Sequence, residues 1–320
     1  MKSRTLYITA ILLLSSVGLL SGQPSDSLSA IKRSKAEEAV RTLVSDPTFA
    51  EAVVEICVTT GCGENLAGHN SRTMLVPASN MKLITTGAAI HTLGKDFRFE
   101  TQLGYKGQIE NGTLKGNLYI LGGGDPTLGS KDTLATPLEQ TFTQWKQLLE
   151  KEGINNIEGY IIGDGRAFDG MPEDGSWVWE DIGTYFGTGS SALMFYENMQ
   201  SFAVSAGETV GSPVNITPHY PATPWMKFRY DCTTGEKGTG DKLYMYTSDL
   251  APIAEIRGTY GVDRGRKQLD CSNKYAEYTC AVYFADWLKR KGISCSGGAG
   301  DFKFQRGWMT NEPKDSLMII

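Results

Sequence analysis

Ser79 and Lys82 stand three residues apart in a stretch that reads Pro-Ala-Ser-Asn-Met-Lys. On a helix, residues i and i+3 lie on the same face, so the Lys82 amine can come within hydrogen-bond reach of the Ser79 hydroxyl. A desolvated, neutral lysine can accept the hydroxyl proton as the serine attacks a carbonyl carbon. The spacing therefore predicts Ser79 as a nucleophile and Lys82 as its base, on a helix that is mostly buried.

The Ser-x-x-Lys spacing is a weak signal by itself. The chain contains a second match at Ser29 and Lys32, and a serine near the start of a helix is most often a cap. The surroundings distinguish the two matches, because Ser79 precedes an apolar helix whereas Ser29 precedes a polar one. We therefore interpret Ser29 as a chance match.

A helix and a hairpin are predicted to precede and position the nucleophile helix. Apolar residues at helical spacing predict a helix over residues 29–43. Two β-rich runs over 52–58 and 64–69, joined by a glycine-containing turn, predict a hairpin. The nucleophile helix is then expected to begin near Pro77 and to end at Gly94.

Composition and charge narrow the class of protein. The 320 residues are 40% hydrophobic and 21% charged, which is ordinary for a soluble globular chain. The net charge of −5 comes without a basic run, so nucleic acid is not an expected partner. From Phe97 onward, short strands alternate with glycine-rich turns, and helices are predicted over 138–149 and 280–291. The 37 glycines fit an α+β fold better than a helical bundle.

The first residues have the pattern of a secretory signal peptide. Lys2 and Arg4 precede an apolar run over 6–20, and the small residues Ser21 and Gly22 mark a cleavage zone. We expect cleavage near Gly22 and export to the periplasm. An uncleaved membrane anchor is the alternative, which the short and interrupted apolar run disfavours.

Six cysteines in an exported chain predict disulfide bonds. Cys57 and Cys62 flank the hairpin turn and are expected to pair across it. The other four allow three pairings, which the sequence leaves open: Cys232, Cys271, Cys280 and Cys295. A zinc site is the competing interpretation, but no Cys-x-x-Cys pair occurs and the three histidines lie far apart in sequence. We predict neither a metal site nor a cofactor.

Further stretches of the chain carry a resemblance to a known family. Residues 76–85 resemble the active-site segment of the class C penicillin-binding proteins of the peptidase S13 family, which are D-alanyl-D-alanine carboxypeptidases and endopeptidases. Three other stretches match that family in the same order, at residues 116–126, 159–169 and 190–198. The resemblance extends from about residue 30 to the end of the sequence.

The resemblance implies an α+β fold with a penicillin-binding, serine β-lactamase-like catalytic domain, here incomplete, and a large β-rich insert. It divides the chain into a signal peptide (1–22), a first part of the catalytic domain with the Ser-x-x-Lys helix (23–97), an insert (98–275) and a return to the catalytic domain (276–320). It also implies a hydrolase that cleaves peptidoglycan stem peptides ending in D-Ala-D-Ala through an acyl-enzyme at Ser79. β-Lactams are then expected as covalent inhibitors.

The sequence departs from the family pattern at one point. The family also uses a Ser-x-Asn and a Lys-Thr-Gly motif, and neither occurs in these 320 residues. Because both motifs follow the insert in the family, we expect the chain to be a truncated part of a longer protein, and a poor enzyme by itself. A non-catalytic wall-binding or scaffolding protein on the same fold is the alternative function, and a class A-like β-lactamase is a weaker third.

The remaining histidines and aromatic residues are given structural interpretations. His69 and His91 are expected to be fold residues rather than catalysts. The aromatic and acidic stretch at 177–185 is interpreted as packing, with sugar or peptide binding as its alternative.

Overall fold

The structure, a computed structural model, describes residues 26–303 and 317–320, and it divides into two compact units at Phe97/Arg98. The predicted signal peptide lies outside the described residues. Within them, no helix is both long and apolar enough to cross a lipid bilayer.

The first unit contains two helices and a hairpin. Its elements are α1 (Asp26–Val44), β1 (Ile56–Thr59), β2 (Asn65–His69), a 3₁₀ turn (Ala78–Asn80) and α2 (Met81–Leu93). The predicted first helix and hairpin are therefore confirmed. Helix α1 packs against β2, and Val40 and Ala67 are the buried apolar residues that this unit's described part contributes.

The hairpin turn is closed by hydrogen bonds that its sequence encodes. The Thr60 amide donates to the carbonyl oxygen of Glu64 at 2.8 Å, and the Glu64 amide donates to the Thr60 hydroxyl at 3.0 Å. Gly63 adopts φ +85°, a conformation that side chains disfavour. These contacts fix the register in which Cys57 lies opposite Gly68.

Helix α2 ends where the sequence predicts and begins at Met81, after the 3₁₀ turn that follows Pro77, but it is not buried. Gly94 ends it with φ +85° and donates its amide to Ile90 O at 3.0 Å. No residue of α2 is buried in the described structure, and Leu83 and Ile84 are 61% and 67% exposed. The prediction of a mostly buried helix is therefore wrong. Burial needs partners from distant parts of a chain, and in the described first unit α1 and the hairpin pack on each other.

The second unit holds all the remaining described strands and α-helices. Its strands are β3 (Gln102–Glu110), β4 (Thr113–Leu121), β5 (Asn156–Ile157), β6 (Tyr160–Asp164), β7 (Met199–Ser205), β8 (Asn215–Tyr220), β9 (Lys227–Gly235), β10 (Asp241–Thr247), β11 (Ile253–Gly261), β12 (Lys267–Ser272), β13 (Ser294–Cys295), β14 (Gly298–Asp301) and β15 (Met318–Ile319). Its helices are α3 (Leu138–Lys151), α4 (Trp179–Ile182) and α5 (Ala276–Arg290).

A seven-stranded mixed sheet forms the larger layer of this unit. Strands β3 and β4 are an antiparallel hairpin, β15 pairs with the outer edge of β3, and β4, β6 and β14 run parallel. Residues of α3 and α5 share a core with this sheet, in which Phe142 lies 5.0 Å from Phe284 between ring centroids. Parallel strands need long crossover connections, and α3 and α5 provide them here.

Two three-stranded sheets form the rest of the unit around a second core. Their strand orders are β12-β7-β8 and β10-β11-β9. In the second of these sheets β9 and β11 are parallel neighbours, and β10 pairs antiparallel with the far side of β11. Inward-facing residues such as Phe202, Met245 and Ile256 fill this core.

One of the predicted domain boundaries coincides with the division between the two compact units. The division after Phe97 coincides with the predicted start of the insert at residue 98. Helix α5, however, packs in the core of the same unit as residues 98–275. This packing gives no support to a return of residues 276–320 to the catalytic domain, which stays a prediction.

The predicted disulfide bonds are absent, and all six cysteines are free thiols. Cys57 lies three residues before the hairpin turn that contains Cys62. At about 3.3 Å per strand residue, this separation puts the Cα atoms roughly 10 Å apart, beyond the reach of about 7 Å that a disulfide allows. The Cys232 and Cys295 thiols instead donate to backbone carbonyl oxygens, at 2.9 Å for Ile256 and 3.1 Å for Gly159.

Thiol reactivity should follow this pattern. Cys57 and Cys62 are exposed, whereas burial raises the pKa of the Cys232 thiol to about 11 and also raises those of Cys271 and Cys280. Because the thiolate is the reactive form, we expect an aromatic disulfide reagent at pH 8 to modify two cysteines quickly and all six only after denaturation. Fewer than six reactive thiols in the denatured, unreduced protein would contradict the free-thiol assignment.

The core of the second unit should respond strongly to a cavity. Leu118 is fully buried, so Leu118→Ala should lower the free energy of unfolding by about 2–5 kcal/mol in a urea titration. Leu134 is 92% exposed, and Leu134→Ala, which removes the same atoms, should change it by less than about 0.5 kcal/mol. Equal effects of the two substitutions would show that the core is misassigned.

Candidate active site

Ser79 and Lys82 meet at the start of α2. Ser79 lies in the 3₁₀ turn, Lys82 lies in the first turn of the helix, and Lys82 Nζ donates a hydrogen bond to Ser79 Oγ at 3.0 Å. This is the contact that the spacing predicts. The catalytic roles of the two residues remain predictions, which the contact makes geometrically possible.

The local backbone explains how the serine is presented. Pro77 begins the 3₁₀ turn with φ −75°, a value that its ring already favours. Ala78 follows with φ +44°, a conformation that residues with a side chain rarely adopt. Strained backbone of this kind is found disproportionately at active sites, and here it immediately precedes the proposed nucleophile.

The expected desolvation of Lys82 is not formed by the described residues. Ser79 and Lys82 are both exposed, and the neighbouring Met81, which was expected to help exclude water, is 48% exposed. The low-dielectric setting predicted for the lysine is therefore wrong for this structure, for the same reason that α2 is exposed. The arrangement supplies a nucleophile in contact with an amine, but not the burial that favours a neutral amine.

Two threonine side chains follow the lysine on the same helix. Thr85 Oγ1 donates to Met81 O at 3.1 Å, and Thr86 Oγ1 donates to Lys82 O at 2.6 Å. Both bonds return to the first turn of α2, so they hold the backbone that carries Lys82.

His69 lies at the end of β2, with its Nε2 3.0 Å from Asn70 Nδ2, and His91 lies in the last turn of α2.

A buried charged cluster in the second unit was missed by the sequence analysis. The side chain of Lys274 is 1% exposed, lies 2.7 Å from Glu173 and donates to Gly187 O at 2.6 Å. Burial lowers the pKa of Lys274, although Glu173 acts in the opposite direction. A second pair, Lys303 and the buried Glu277 at 3.1 Å, lines the same small polar cavity. Charged residues are normally exposed, so the sequence offered no signal for this cluster.

One wall of this cavity has an unusual backbone. Tyr196, Glu197 and Asn198 have φ values of +50°, +56° and +55° in succession. Asn198 O accepts the Asn273 amide at 2.7 Å, and Glu197 accepts the Ser130 hydroxyl at 2.5 Å. These contacts stabilise a left-handed turn within the segment 190–198, one of the stretches that carries the family resemblance.

The described residues contain no group of three or more His, Cys, Asp or Glu side chains placed to hold a metal ion.

Comparison with solved structures identifies the class of fold. The chain is similar to the crystal structure of penicillin binding protein 4 (dacB) from Haemophilus influenzae, with a TM-score of 0.61 and 25% identity, over 75% of this chain and 51% of that chain. It is also similar in fold to the same protein complexed with a novel beta-lactam, with a TM-score of 0.52 and 21% identity, over 74% of this chain and 48% of that chain. The fold is thus that of a penicillin-binding protein, which confirms the predicted class.

Comparison of sequences identifies the family. Residues 36–305 match the D-Ala-D-Ala carboxypeptidase 3 (S13) family, and the chain belongs to that family. It is 30% identical over 158 residues to the D-alanyl-D-alanine carboxypeptidase DacB of Haemophilus influenzae, covering 49% of this chain and 31% of the relative. It is also 30% identical over 197 residues to the D-alanyl-D-alanine carboxypeptidase of Actinomadura sp. (strain R39), covering 58% of this chain and 32% of the relative. The matched region thus spans about a third of the length of these relatives, and the predicted family resemblance is confirmed.

The buried lysine cluster should be sensitive to loss of one partner. Lys274→Met leaves the mostly buried Glu173 carboxylate without its cation, so the free energy of unfolding should fall by about 3–5 kcal/mol in a urea titration. Lys289→Met, on the exposed side of α5, is the matched control and should have little effect. The double variant Glu173→Met/Lys274→Met should recover part of the loss. No difference between the Lys274 and Lys289 variants would exclude a structural role for this ion pair.

Proposed function

We propose that this protein is a serine-type D-Ala-D-Ala carboxypeptidase/endopeptidase that acts on peptidoglycan stem peptides through an acyl-enzyme at Ser79. The observation that carries the proposal is the 3.0 Å contact between Ser79 Oγ and Lys82 Nζ, in a chain that belongs to the S13 family. The curated relatives are themselves named D-alanyl-D-alanine carboxypeptidases. No observation on the described residues favours a non-catalytic wall-binding protein.

The proposed reaction begins with the Ser79 hydroxyl. Its oxygen attacks the carbonyl carbon of the terminal D-Ala-D-Ala peptide bond while a neutral Lys82 amine accepts its proton. The leaving D-Ala amine then takes up the proton that Lys82 accepted, and water hydrolyses the resulting ester, its hydroxide joining the acyl carbon and its proton returning to the serine oxygen. The N-terminus of α2 lies beside Ser79, and its partial positive charge favours an oxyanion at this position.

This reaction requires Lys82 to be neutral when the serine attacks. An exposed ammonium donates hydrogen bonds but cannot accept the proton. Because Lys82 is exposed in the described structure, the proposal requires that further protein or the bound substrate covers the start of α2 and disfavours the charged form. Residues that recognise the substrate carboxylate must also come from beyond the Ser-Lys pair.

β-Lactams are proposed as covalent inhibitors for the same chemical reason. Their strained amide offers Ser79 a carbonyl carbon, and the ester that forms is the counterpart of the acyl-enzyme. A relative of similar fold has been crystallised with a beta-lactam, which supports this part of the proposal.

We further propose that the protein acts in the periplasm after its signal peptide is cleaved near Gly22. N-terminal sequencing of the mature protein should then begin near Gln23.

Labelling by a fluorescent penicillin tests the nucleophile. In the full polypeptide that its gene encodes, we expect Ser79→Ala to abolish labelling. Ser29→Ala is the matched control, because Ser29 and Lys32 have the same spacing, and it should label like the wild type. Lys82→Gln, which removes the base and leaves the nucleophile, should slow acylation by about 10²–10⁴-fold.

Mass spectrometry of the labelled tryptic peptide provides the second readout, since the adduct should map to Ser79. Labelling that persists in the Ser79→Ala variant at the wild-type rate would refute the assignment. Circular dichroism of each variant should match the wild type, which separates loss of chemistry from loss of folding.

A further inference from the structure

The outer face of the β10-β11-β9 sheet is exposed and carries an ordered set of charged and aromatic side chains. We call it the basic aromatic face, and its residues are Lys227, Arg229, Asp231, Lys242, Tyr244, Tyr246, Glu255 and Arg257. The opposite face of the same strands packs into the second core. The proposed hydrolase mechanism uses none of these residues.

The strand register places these side chains in two rows across the sheet. One row runs Tyr246, Glu255 and Arg229, and these residues are direct cross-strand neighbours. The next row is formed in the same way by Tyr244, Arg257 and Asp231. Adjacent strands are about 4.8 Å apart and successive rows on one face roughly 6.8 Å apart, so the groups are regularly spaced along the face, which suits an extended polymer.

A single carboxylate holds both arginines of this face. Glu255 accepts from Arg257 Nη2 at 2.5 Å and lies 3.1 Å from Arg229 Nε. The glutamate is 17% exposed, whereas the arginines are 75% (Arg229) and 55% (Arg257) exposed. Since each guanidinium has five donor hydrogens, each keeps donors that Glu255 does not engage.

Beside the arginines, on the β10 side of the face, lie exposed aromatic rings. The Arg257 guanidinium lies 5.3 Å from the centroid of the Tyr246 ring, and Tyr246 stacks on Trp179 at 6.5 Å with an interplanar angle of 27°. Trp179 remains 57% exposed and Tyr244 46% exposed. The negative face of an exposed aromatic ring attracts the polarised C–H bonds of a sugar ring, so these side chains provide a second kind of contact beside the guanidiniums.

The charge of the face differs in sign from that of the whole protein. Four of its side chains are cationic and two are acidic, while the chain has a net charge of −5. A ligand that carries anionic groups and also presents apolar ring surfaces matches both kinds of side chain on this face. A peptidoglycan strand has both, since its sugars bear peptides that end in carboxylates.

We propose that the basic aromatic face binds a glycan strand that bears carboxylate-containing peptides, with the arginines on the carboxylates and Tyr244 and Trp179 on the sugars. The proposal rests on the proposed function in that it takes peptidoglycan as the polymer. It adds a binding surface that uses none of the Ser79 chemistry. The face would hold the enzyme on the polymer.

The binding test uses a disaccharide-tetrapeptide purified from peptidoglycan, measured by calorimetry with the Ser79→Ala variant of the full polypeptide. A tetrapeptide has already lost the terminal D-Ala, so it offers no D-Ala-D-Ala bond. Arg229→Gln/Arg257→Gln should weaken its binding by at least about 10-fold. Lys151→Gln/Lys289→Gln removes the same charge from exposed positions on α3 and α5, and it should change the affinity by less than about twofold.

Two further variants separate the proposed contacts. Arg229→Lys/Arg257→Lys keeps the charge but loses the planar fork, so the positioned arginines predict weaker binding, whereas charge alone predicts wild-type affinity. Tyr244→Ala should weaken binding of the disaccharide-tetrapeptide but not of the free tetrapeptide. Chitotetraose, which has the sugars without carboxylates, should bind weakly to every form.

The outcomes decide the proposal independently of the catalytic assignment. In protein that keeps Ser79, the Arg229→Gln/Arg257→Gln variant should be labelled by fluorescent penicillin like the wild type. If no form of the protein is labelled, that result counts against the proposed function alone. The glycan proposal would be overturned if Arg229→Lys/Arg257→Lys bound the disaccharide-tetrapeptide with wild-type affinity. It would also be overturned if Lys151→Gln/Lys289→Gln weakened binding as much as Arg229→Gln/Arg257→Gln, or if chitotetraose bound more tightly than the disaccharide-tetrapeptide. Tighter binding of a single-stranded oligonucleotide or of anionic lipid vesicles at the same arginines would also overturn it.

Discussion

The close approach of α5 to β6 is the constraint on which most of the second unit depends. A Cβ atom at Gly163 would lie 2.2 Å from Glu277 O, so the strand tolerates no side chain where the helix crosses it. Because the backbones are so near, α5 takes part in two cores at once. Phe284 packs against the large sheet, while Tyr275, at the start of the helix, packs among the smaller sheets. A larger residue in place of Gly163 would displace the helix from both.

In the first unit, local backbone structure rather than long-range packing sets the geometry of the Ser79–Lys82 pair. Among its described residues only Val40 and Ala67 are buried, so long-range packing contributes little to the geometry of Ser79 and Lys82. Their contact comes from the i, i+3 spacing and from the turn that Pro77 begins. Local structure thus brings the hydroxyl and the amine together even on an exposed helix. The protonation state of the amine depends on burial, which local structure does not supply.

The same distinction between local and long-range effects explains what the sequence could and could not predict. Helix α1, the hairpin and the end of α2 at Gly94 follow from spacing and turn residues, and all were predicted correctly. The exposure of α2 depends on contacts with distant segments, and the expected Cys57–Cys62 bond depends on hairpin register. Lys274 was missed because its burial is created by residues about 90 to 100 positions earlier in the chain, Gly187 and Glu173.

The strand order of the β10-β11-β9 sheet limits when this sheet can form during synthesis of the chain. Strand β11 lies between β9 and β10, although it follows both in the sequence, and the β9–β11 pairing is parallel. Neither β9 nor β10 can find its neighbour in this sheet until β11 has been synthesised, because β11 pairs with both. A nascent chain therefore carries the segments that contain Arg229 and Tyr244 without their sheet partner until β11 has been synthesised. The basic aromatic face therefore cannot exist until β11 takes its place between its two neighbours.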